Sequence, residues 1–329
     1  MTMLVIDAAA VAELLTPRRA LGAVEEAFRA LERDAVVQPQ RIVMGHGRGR
    51  ALAAMPAMVE THGLGAKLVT ITPENIEAGR PAHTILILLF NEADGTPLAL
   101  LDGSRITALR TAAASALATA ALARPEAETL AILGAGVQAR AHVECLREVR
   151  PIRRVRVWSR RRASAEALAA DVRAGTTLDV VVVDNPDKAA AEADIVCTTT
   201  ASTTPVLSLD GVRPGVHVNA IGASFASLCE LTPEAVAAAA VYVDSLAAAR
   251  REAGDLLNAT EHGVFGFDAV RGELGGLLTG RCPGRASEDE ITLFKSVGLA
   301  AQDITVGAFV AAAAREAGHG TDVALGRHP

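Results

Sequence analysis

A glycine-rich segment stands where the sequence changes from a predicted buried strand to a predicted helix. Residues 130–145 read LAILGAGVQARAHVEC, with Gly134, Gly136 and Ala139 in the spacing G-x-G-x-x-A. The first glycine permits a tight turn, the second lets backbone N–H groups approach a pyrophosphate, and the small third residue lets the helix pack on the strand. The helix N-terminus adds oriented N–H groups and a partial positive charge. In this strand–helix setting the pattern predicts a dinucleotide-binding turn.

Four polar residues follow the next predicted strand. In RVRVWSRRRAS, Ser159 precedes three consecutive arginines, Arg160 to Arg162. An NAD-binding fold has an acidic residue here, which binds the ribose 2′-hydroxyl. A 2′-phosphate would instead be bound by the Ser159 hydroxyl and by a bidentate contact from Arg160 or Arg161. We therefore expect NADP(H) to be preferred over NAD(H). The alternative is a solvated basic turn, which the helix dipole mildly disfavours.

The composition narrows the class of protein. The chain has 329 residues and a formal net charge of −6, so we expect about two domains and no nucleic-acid partner. We expect no signal peptide, because the first residues lack a basic region followed by an apolar region, and no membrane span, because no apolar run reaches about 18 residues. Cys145, Cys197, Cys229 and Cys282 form no CxxC pair. This predicts buried thiols in a cytoplasmic protein and no metal site.

Two regions with different patterns of predicted secondary structure must position these residues. The first hundred residues predict hairpin-forming strands and one helix with Thr16 as N-cap and Pro17 at its first position. An alanine-rich helix is predicted at 104–123. From Thr129 onwards strands and helices alternate, which predicts a doubly wound parallel sheet of the Rossmann type. Ser287 and Glu290 have capping-box spacing and predict a helix, followed by another at about 297–316.

The fold class predicted is therefore α/β, with a Rossmann domain and a discontinuous α+β domain. The predicted boundaries place the α+β domain at 1–117, completed by 304–329. The Rossmann domain is predicted at 118–303. We assign the α+β domain to substrate binding and dimerisation, and the Rossmann domain to NADP binding.

Several segments together resemble the ornithine cyclodeaminase/μ-crystallin family, in the family's order and over essentially the whole chain. The segments are AKLVT (66–70), PAHTILILLF (81–90), LDGSRITALRTAAASALA (101–118), ILGAGVQARAH (132–142), HVNAIGAS (217–224) and CPGRASEDEITLFKSVGLA (282–300), followed by Asp303. The resemblance implies a homodimer. It also implies a nicotinamide-dependent oxidoreductase acting on small amino or imino acids.

The resemblance assigns the substrate contacts residue by residue. Arg41 matches the arginine that grips the substrate α-carboxylate, and Lys67 the lysine beside that carboxylate and the reacting carbon. Arg110 matches a residue that contacts cofactor phosphate and reaches the substrate, and Val297 lies in the loop over both. The chemistry agrees, because a forked guanidinium and a point charge together orient a carboxylate. Lys67 also stands in an apolar strand, where a lysine needs an internal partner.

The resemblance also implies a set of cofactor contacts. With Ser159, Arg160 and Arg161 from the arginine segment, the expected cofactor-binding residues are His83, Arg110, Thr111, Gly134, Gly136, Val137, Gln138, Thr199, Thr200, Ile221, Ser224 and Ser296. Ala82 replaces a threonine frequent in the family, which weakens one polar contact beside His83.

One departure from the family pattern bears on the reaction. Family cyclodeaminases carry an aspartate after NAxG, where this chain has Ser224. A serine can neither hold an ammonium ion electrostatically nor take its proton without a neighbouring base. In having a serine at this position, the chain resembles the ketimine reductases of the family. Glu230, six residues on, belongs to a shared element and is expected to be structural.

These observations predict NADPH-dependent reduction of a cyclic ketimine, Δ1-pyrroline- or Δ1-piperideine-2-carboxylate, to L-proline or L-pipecolate. Lys67, Arg41 and Ser224 are the expected catalytic residues. An ornithine or lysine cyclodeaminase, an alanine or opine-type dehydrogenase and a non-catalytic cofactor-binding protein are the alternatives.

Overall fold

The computed structural model describes residues 1–47, 49–75, 78–208 and 212–326, with the backbone alone for His46. The chain divides into two compact units: unit 1 consists of Met1–Arg110 and Leu299–Pro329, and unit 2 of Thr111–Gly298. The boundaries predicted at 117/118 and 303/304 both fall inside helices of the structure.

The described residues form sixteen strands and eleven α-helices. The strands are β1 (Thr2–Ile6), β2 (Val36–Val37), β3 (Ile42–His46), β4 (Arg50–Val59), β5 (Gly63–Ile71), β6 (His83–Phe90), β7 (Pro97–Asp102), β8 (Thr129–Leu133), β9 (Arg154–Trp158), β10 (Asp179–Val182), β11 (Ile195–Thr198), β12 (His217–Ala220), β13 (Ala240–Val243), β14 (Gly272–Glu273), β15 (Thr292–Lys295) and β16 (Thr321–Ala324). The helices are α1 (Ala8–Leu14), α2 (Pro17–Glu32), α3 (Ser104–Leu122), α4 (Val137–Leu146), α5 (Arg162–Gly175), α6 (Pro186–Ala190), α7 (Pro233–Ala237), α8 (Leu246–Glu252), α9 (Gly254–Glu261), α10 (Leu274–Thr279) and α11 (Ala300–Ala317).

Unit 1 is built on a mixed sheet with the strand order β16-β1-β7-β6-β5-β4-β2, and β3 pairs with β4. The neighbours are antiparallel except for β1 and β7. Helix α11 packs against β4, β5 and β6 and against α2. Helix α2 begins as predicted, with the Thr16 side chain accepting a bond from the N–H of Arg19 and Pro17 at the first position.

Unit 2 is an open parallel sheet with the order β10-β9-β8-β11-β12-β15-β13-β14. All of its strand pairs in the described ranges are parallel. The strand order reverses between β8 and β11, so the carboxyl ends of these two strands flank the crevice in which such sheets bind ligands. The predicted Rossmann-type α/β fold is confirmed.

One predicted helix is wrong. Residues 287–291 form a turn, and β15 follows where no strand was predicted. The Glu290 carboxylate accepts the N–H of Ala286 and forms an ion pair with Arg271 at 2.7 Å, so it does not cap a helix at Ser287. The last long helix, α11, begins at Ala300. In the described part of the chain, no helix combines the length and the apolar character needed to cross a membrane.

Candidate active site

The glycine turn lies between β8 and α4, as the sequence predicts. Gly134 has a φ of +124°, and a Cβ there would lie 2.6 Å from Thr199 Oγ1 and 2.8 Å from the Thr199 carbonyl oxygen. Only glycine fits this position. Gly136 is the N-cap of α4 without a side-chain cap. The Gln138 Oε1 atom is buried and has no hydrogen-bond partner among the described residues. These residues fit the pyrophosphate of a dinucleotide.

A buried histidine fixes the first turn of α4 from the interior. His142 Nδ1 lies 2.7 Å from the Gln138 carbonyl oxygen, and Nε2 lies 2.9 Å from Ser115 Oγ. Burial lowers the pKa of His142 to about 4, so the ring is neutral at pH 7. A neutral ring that donates from Nδ1 accepts the Ser115 hydroxyl at Nε2. The turn therefore has a rigid support that sequence reasoning missed.

The arginine segment follows β9 beside the glycine turn. The Gly134 N–H donates to the Trp158 carbonyl oxygen at 2.8 Å, which joins the end of β9 to the turn. Arg162 forms an ion pair with Glu166, with Nε 2.8 Å from Oε1. Arg160 and Arg161 are exposed and form no ion pair with any residue in the described ranges. Two guanidinium groups at a helix N-terminus are thus available to an anion.

Three more predicted cofactor segments lie at the same edge of the sheet, because each follows the carboxyl end of a parallel strand. Thr199 and Thr200 follow β11, Ile221–Ser224 follow β12, and Ser296–Val297 follow β15. The Thr199 N–H and hydroxyl both donate to the Leu133 carbonyl oxygen, at 2.8 and 3.3 Å. The half-buried Ser224 hydroxyl makes no hydrogen bond to another described residue.

A buried cluster of charges lies in unit 1. Lys67 Nζ, from β5, is 2.7 Å from Asp303 Oδ2. Arg110 Nε donates to Asp303 Oδ1 at 3.0 Å, and Arg110 Nη1 donates to Gln302 Oε1 at 3.0 Å. Lys67 is 2% exposed, Arg110 6% and Asp303 0%. Asp303 lies in the first turn of α11, where the helix dipole stabilises a negative charge. One carboxylate therefore holds two buried cations.

The surroundings of Lys67 lower its pKa to about 8. Burial is the largest cause, because it penalises the charged form. The Asp303 carboxylate opposes this effect and raises the pKa, whereas the positive charges of Arg110 and Arg41 lower it further. A lysine with this pKa exchanges a proton near neutral pH.

The remaining predicted residues are distributed over both units. Arg41 is half-buried just before β3 and acts electrostatically on Lys67. His83 is exposed at the start of β6, opposite Ile71, and desolvation lowers its pKa. Thr111 is buried in α3, and Val297 is buried beyond β15.

Sequence reasoning missed the roles of two carboxylates, Asp303 and Asp244, and assigned Glu230 a structural role. Asp303 appeared only as part of a resemblance, although an apolar strand containing Lys67 signals that a buried acid must exist elsewhere. Asp244 was not singled out, and its Oδ2 accepts bonds from Ser296 and Val297. Glu230 was expected to be structural, and its carboxylate joins the segments after β11 and β12.

Comparison with known proteins identifies the family. Residues 1–318 match the sequence profile of the ornithine cyclodeaminase/mu-crystallin family. The chain belongs to this family. The expectation based on the quoted segments is confirmed, and the match extends over both units.

Named reductases are among the similar members of the ornithine cyclodeaminase/mu-crystallin family. A Delta(1)-pyrroline-2-carboxylate reductase of Bacillus cereus is 41% identical over 271 residues, which cover 82% of this chain and 83% of the relative. Ketimine reductase mu-crystallin of Mus musculus is 39% identical over 277 residues, covering 84% of each chain. The Thermococcus litoralis Delta(1)-pyrroline-2-carboxylate reductase, in complex with NADH and L-proline, has a TM-score of 0.95 and 32% identity, and the match covers 98% of this chain and 100% of that chain.

Proposed function

We propose that this chain reduces a cyclic ketimine, Δ1-pyrroline-2-carboxylate or Δ1-piperideine-2-carboxylate, to L-proline or L-pipecolate. The observation that carries the proposal is Lys67, a buried lysine with a pKa of about 8, paired with Asp303 and electrostatically coupled to Arg41. It provides both a cation for the substrate carboxylate and a proton for the imine nitrogen of the substrate. The named reductases among the relatives support the same reaction.

Arg41 and Lys67 bind the substrate carboxylate in this proposal. A guanidinium gives two parallel hydrogen bonds to a carboxylate, which fixes its plane. The Lys67 ammonium has three donor hydrogens and forms an ion pair with Asp303. Arg110 keeps the Asp303 carboxylate in place from its other oxygen. The nicotinamide, when bound, supplies the hydride from its C4.

Lys67 also provides the proton that the reduction consumes. The net reaction joins the ketimine, one hydride and one proton to give the amine. At neutral pH a lysine with a pKa of about 8 is mostly protonated and can transfer that proton to the substrate nitrogen. Ser224 contacts the nicotinamide or the substrate nitrogen. It does not act as a base, because this position carries a serine hydroxyl where the cyclodeaminases of the family have an aspartate carboxylate.

In this proposal unit 2 binds the dinucleotide and prefers NADP(H) over NAD(H). The glycine turn holds the pyrophosphate, and Ser159 with Arg160 and Arg161 binds the 2′-phosphate. The preference is supported by the two arginines that have no ion-pair partner among the described residues. Unit 1 supplies Arg41, Lys67 and Arg110 for substrate binding, and Val297 belongs to unit 2. A cytoplasmic location stays a prediction from four free cysteines.

The experiment that tests the reaction is an absorbance assay at 340 nm with NADPH. The two ketimines are compared with ornithine, for which ammonia is measured, and with pyruvate plus ammonia. We expect NADPH loss with at least one ketimine. Ammonia release from ornithine without net cofactor turnover would instead assign a cyclodeaminase, and turnover confined to pyruvate plus ammonia would assign an alanine dehydrogenase.

We also propose a homodimer, formed through the unit 1 sheet face that does not carry α11. This face is apolar, and it includes Leu52, Met58, Leu68 and Leu86, which are 38–44% exposed. In the sheet register Leu68 lies opposite Leu86 and Met58 opposite Leu64, so apolar side chains are cross-strand neighbours on this face.

A glutamate in this patch is expected to separate the subunits. We expect Leu68→Glu to convert the dimer to a monomer in sedimentation analysis, because a charge would be buried at the interface. Val181→Glu is the matched control, since Val181 is 40% exposed on β10 in unit 2. A monomeric wild-type chain would contradict the proposal, as would equal dissociation by both variants.

The pH dependence of the reduction is expected to follow Lys67. Above its pKa the lysine is neutral and cannot donate, so kcat/KM for the ketimine falls as the pH rises through about 8. Because the Asp303 carboxylate raises this pKa, Asp303→Asn shifts the decline to lower pH. Asp255→Asn removes the carboxylate from another buried lysine pair, Lys295–Asp255 at 2.7 Å, and is the control. An unchanged profile in Asp303→Asn would exclude Lys67 as the titrating group.

A further inference from the structure

Two buried carboxylates in unit 2 bond to the segments that carry the proposed cofactor contacts. They are Glu230, in the segment after β12, and Asp244, directly after β13. Glu230 is 0% exposed and Asp244 2%. Neither takes part in the proposed hydride or proton transfer.

Glu230 joins two strand-end segments through five hydrogen bonds. Its Oε1 accepts the N–H and the hydroxyl of Thr200, at 2.6 and 2.7 Å. Its Oε2 accepts the Thr198 hydroxyl at 2.7 Å. The same oxygen accepts the N–H groups of Gly222 and Ala223, at 2.7 and 3.3 Å. Four of the five donors belong to the segments after β11 and β12, and the fifth is the Thr198 hydroxyl at the end of β11.

Glycine is required where this carboxylate meets the chain. A Cβ on Gly222 would lie 1.8 Å from the Thr200 carbonyl oxygen and 2.4 Å from Glu230 Oε1. The two segments therefore approach each other at backbone distance, and the carboxylate fills the space between them.

Asp244 performs the same task for the third segment. Its Oδ2 accepts the Ser296 hydroxyl at 2.8 Å and the N–H groups of Val297 and Gly298 at 2.8 and 2.7 Å. Three donors on consecutive residues fix the conformation of this loop directly after β15.

The segment after β11 also forms one wall of the glycine turn. The Thr199 carbonyl oxygen lies within 2.8 Å of the position that a Cβ on Gly134 would occupy. A displacement of Thr199 or Thr200 would therefore alter the space where backbone N–H groups approach a pyrophosphate. The Ile221 N–H donates to the Thr198 carbonyl oxygen at 3.0 Å, so the segment after β12 would move as well.

The buried surroundings of Glu230 make its charged form less favourable. Burial raises the pKa of Glu230, and the positive charge of Lys295 opposes that rise. Asp255 accepts the Glu230 N–H at 2.6 Å and pairs with Lys295 at 2.7 Å. Apolar side chains frequently stabilise a core better than buried charges do, so stability alone is a weak reason for this network.

We propose that Glu230 and Asp244 are positioning residues, which set the three strand-end segments in the arrangement that binds the dinucleotide. The proposal rests on the proposed function, because that function assigns cofactor contacts to these segments. Each carboxylate acts only through the donors it holds and touches neither substrate nor cofactor.

Asp194 offers a matched control at the opposite edge of the same sheet. Its carboxylate accepts the N–H groups of Glu128 and Thr129, at 3.1 and 3.0 Å, and a bond from Arg124 at 3.0 Å. It ties its own segment, directly before β11, to the segment at the start of β8, and so it acts at the amino ends of the parallel strands. A structural role predicts similar effects at both edges, whereas a positioning role predicts weaker cofactor binding only at the carboxyl edge.

The test compares Glu230→Gln, Asp244→Asn and Asp194→Asn in the full chain. The dissociation constant for NADPH is measured by the change in nucleotide fluorescence on binding, and thermal unfolding is followed separately. An amide NH2 donates, so in Glu230→Gln it faces other donors and releases one segment. We expect the dissociation constant to rise about tenfold or more in the first two variants. In Asp194→Asn we expect a lower Tm with an unchanged dissociation constant.

A milder variant covers the case in which Glu230→Gln does not fold. Thr198→Val preserves shape and removes one of the five bonds to Glu230. We expect about a threefold weaker affinity for NADPH, with KM for NADPH raised and kcat for the ketimine nearly unchanged. A structural role alone would lower Tm without this separation of KM from kcat.

The outcomes separate this proposal from the proposed function. Variants that lose thermal stability but bind NADPH like the wild type would overturn it, as would an equal loss of affinity in Asp194→Asn. If the wild-type chain binds NADPH and reduces neither ketimine, the proposed function fails and the affinity measurements still decide the role of the carboxylates. A wild-type chain that binds neither NADPH nor NADH would overturn both.

Discussion

Lys67→Met is expected to lower kcat for ketimine reduction by about a thousandfold or more, because it removes both the proton donor and one carboxylate contact. Methionine has a similar length and no charge, and Asp303 retains Arg110 as a partner at 3.0 Å. The variant should therefore fold. The measurement is the steady-state rate of NADPH oxidation at saturating ketimine, together with the dissociation constant for NADPH, which we expect to be unchanged.

Two further variants separate the roles of Lys67. Lys67→Arg keeps a positive charge for the carboxylate but holds its proton at every working pH. We expect Lys67→Arg to have a KM for the ketimine close to that of the wild type and a kcat that stays low. Lys188→Met is the control, since Lys188 is an exposed lysine in α6. A Lys67→Met enzyme with kcat within about tenfold of the wild type would show that the proton comes from elsewhere.

The second large effect is expected at the adenosine end of the cofactor. Replacing Arg160 and Arg161 together by serine should lower kcat/KM for NADPH about a hundredfold or more, since each lost charge-assisted bond costs on the order of 1.5–3 kcal/mol. The same value for NADH should hardly change, because NADH has no 2′-phosphate. The measurement is kcat/KM for both cofactors at a fixed ketimine concentration.

Arg162 provides a control for the double variant. Its guanidinium already pairs with Glu166 at 2.8 Å, and it stands in the same run of arginines. Arg162→Ser should alter the preference for NADPH little. If Arg162→Ser loses as much as the double variant, or if the wild type uses NADH as well as NADPH, the arginine segment does not select the cofactor.

The Rossmann half could be predicted from local patterns, because each strand and helix there carries its own periodicity. The glycine turn at Gly134 is a local structure with a steric rule, and the φ of +124° follows from it. The error at Ser287 has a tertiary cause. Glu290 pairs with Arg271 instead of capping a helix, and β15 is inserted between β12 and β13 in the sheet. Neither contact is visible in a short window of sequence.

The sequence pointed to individual residues of the candidate site but not to the contacts between them. Lys67 in an apolar strand signals a missing partner, yet nothing local shows that the partner is Asp303 from the last long helix. Glu230 likewise stands close in sequence to Gly222 but bonds as well to Thr200. Such carboxylates are recognised only when strands distant in sequence are brought to one sheet edge. Local composition specifies which groups need partners, and the tertiary fold specifies the partners.

The most direct test of ketimine reduction follows the transferred hydride. The enzyme is supplied with NADPH carrying deuterium on the transferring C4 position and with Δ1-pyrroline-2-carboxylate, and the amino acid formed is analysed by NMR and mass spectrometry. We predict L-proline with one deuterium at Cα. Proline without deuterium at Cα, or no formation of proline, would contradict ketimine reduction by this enzyme.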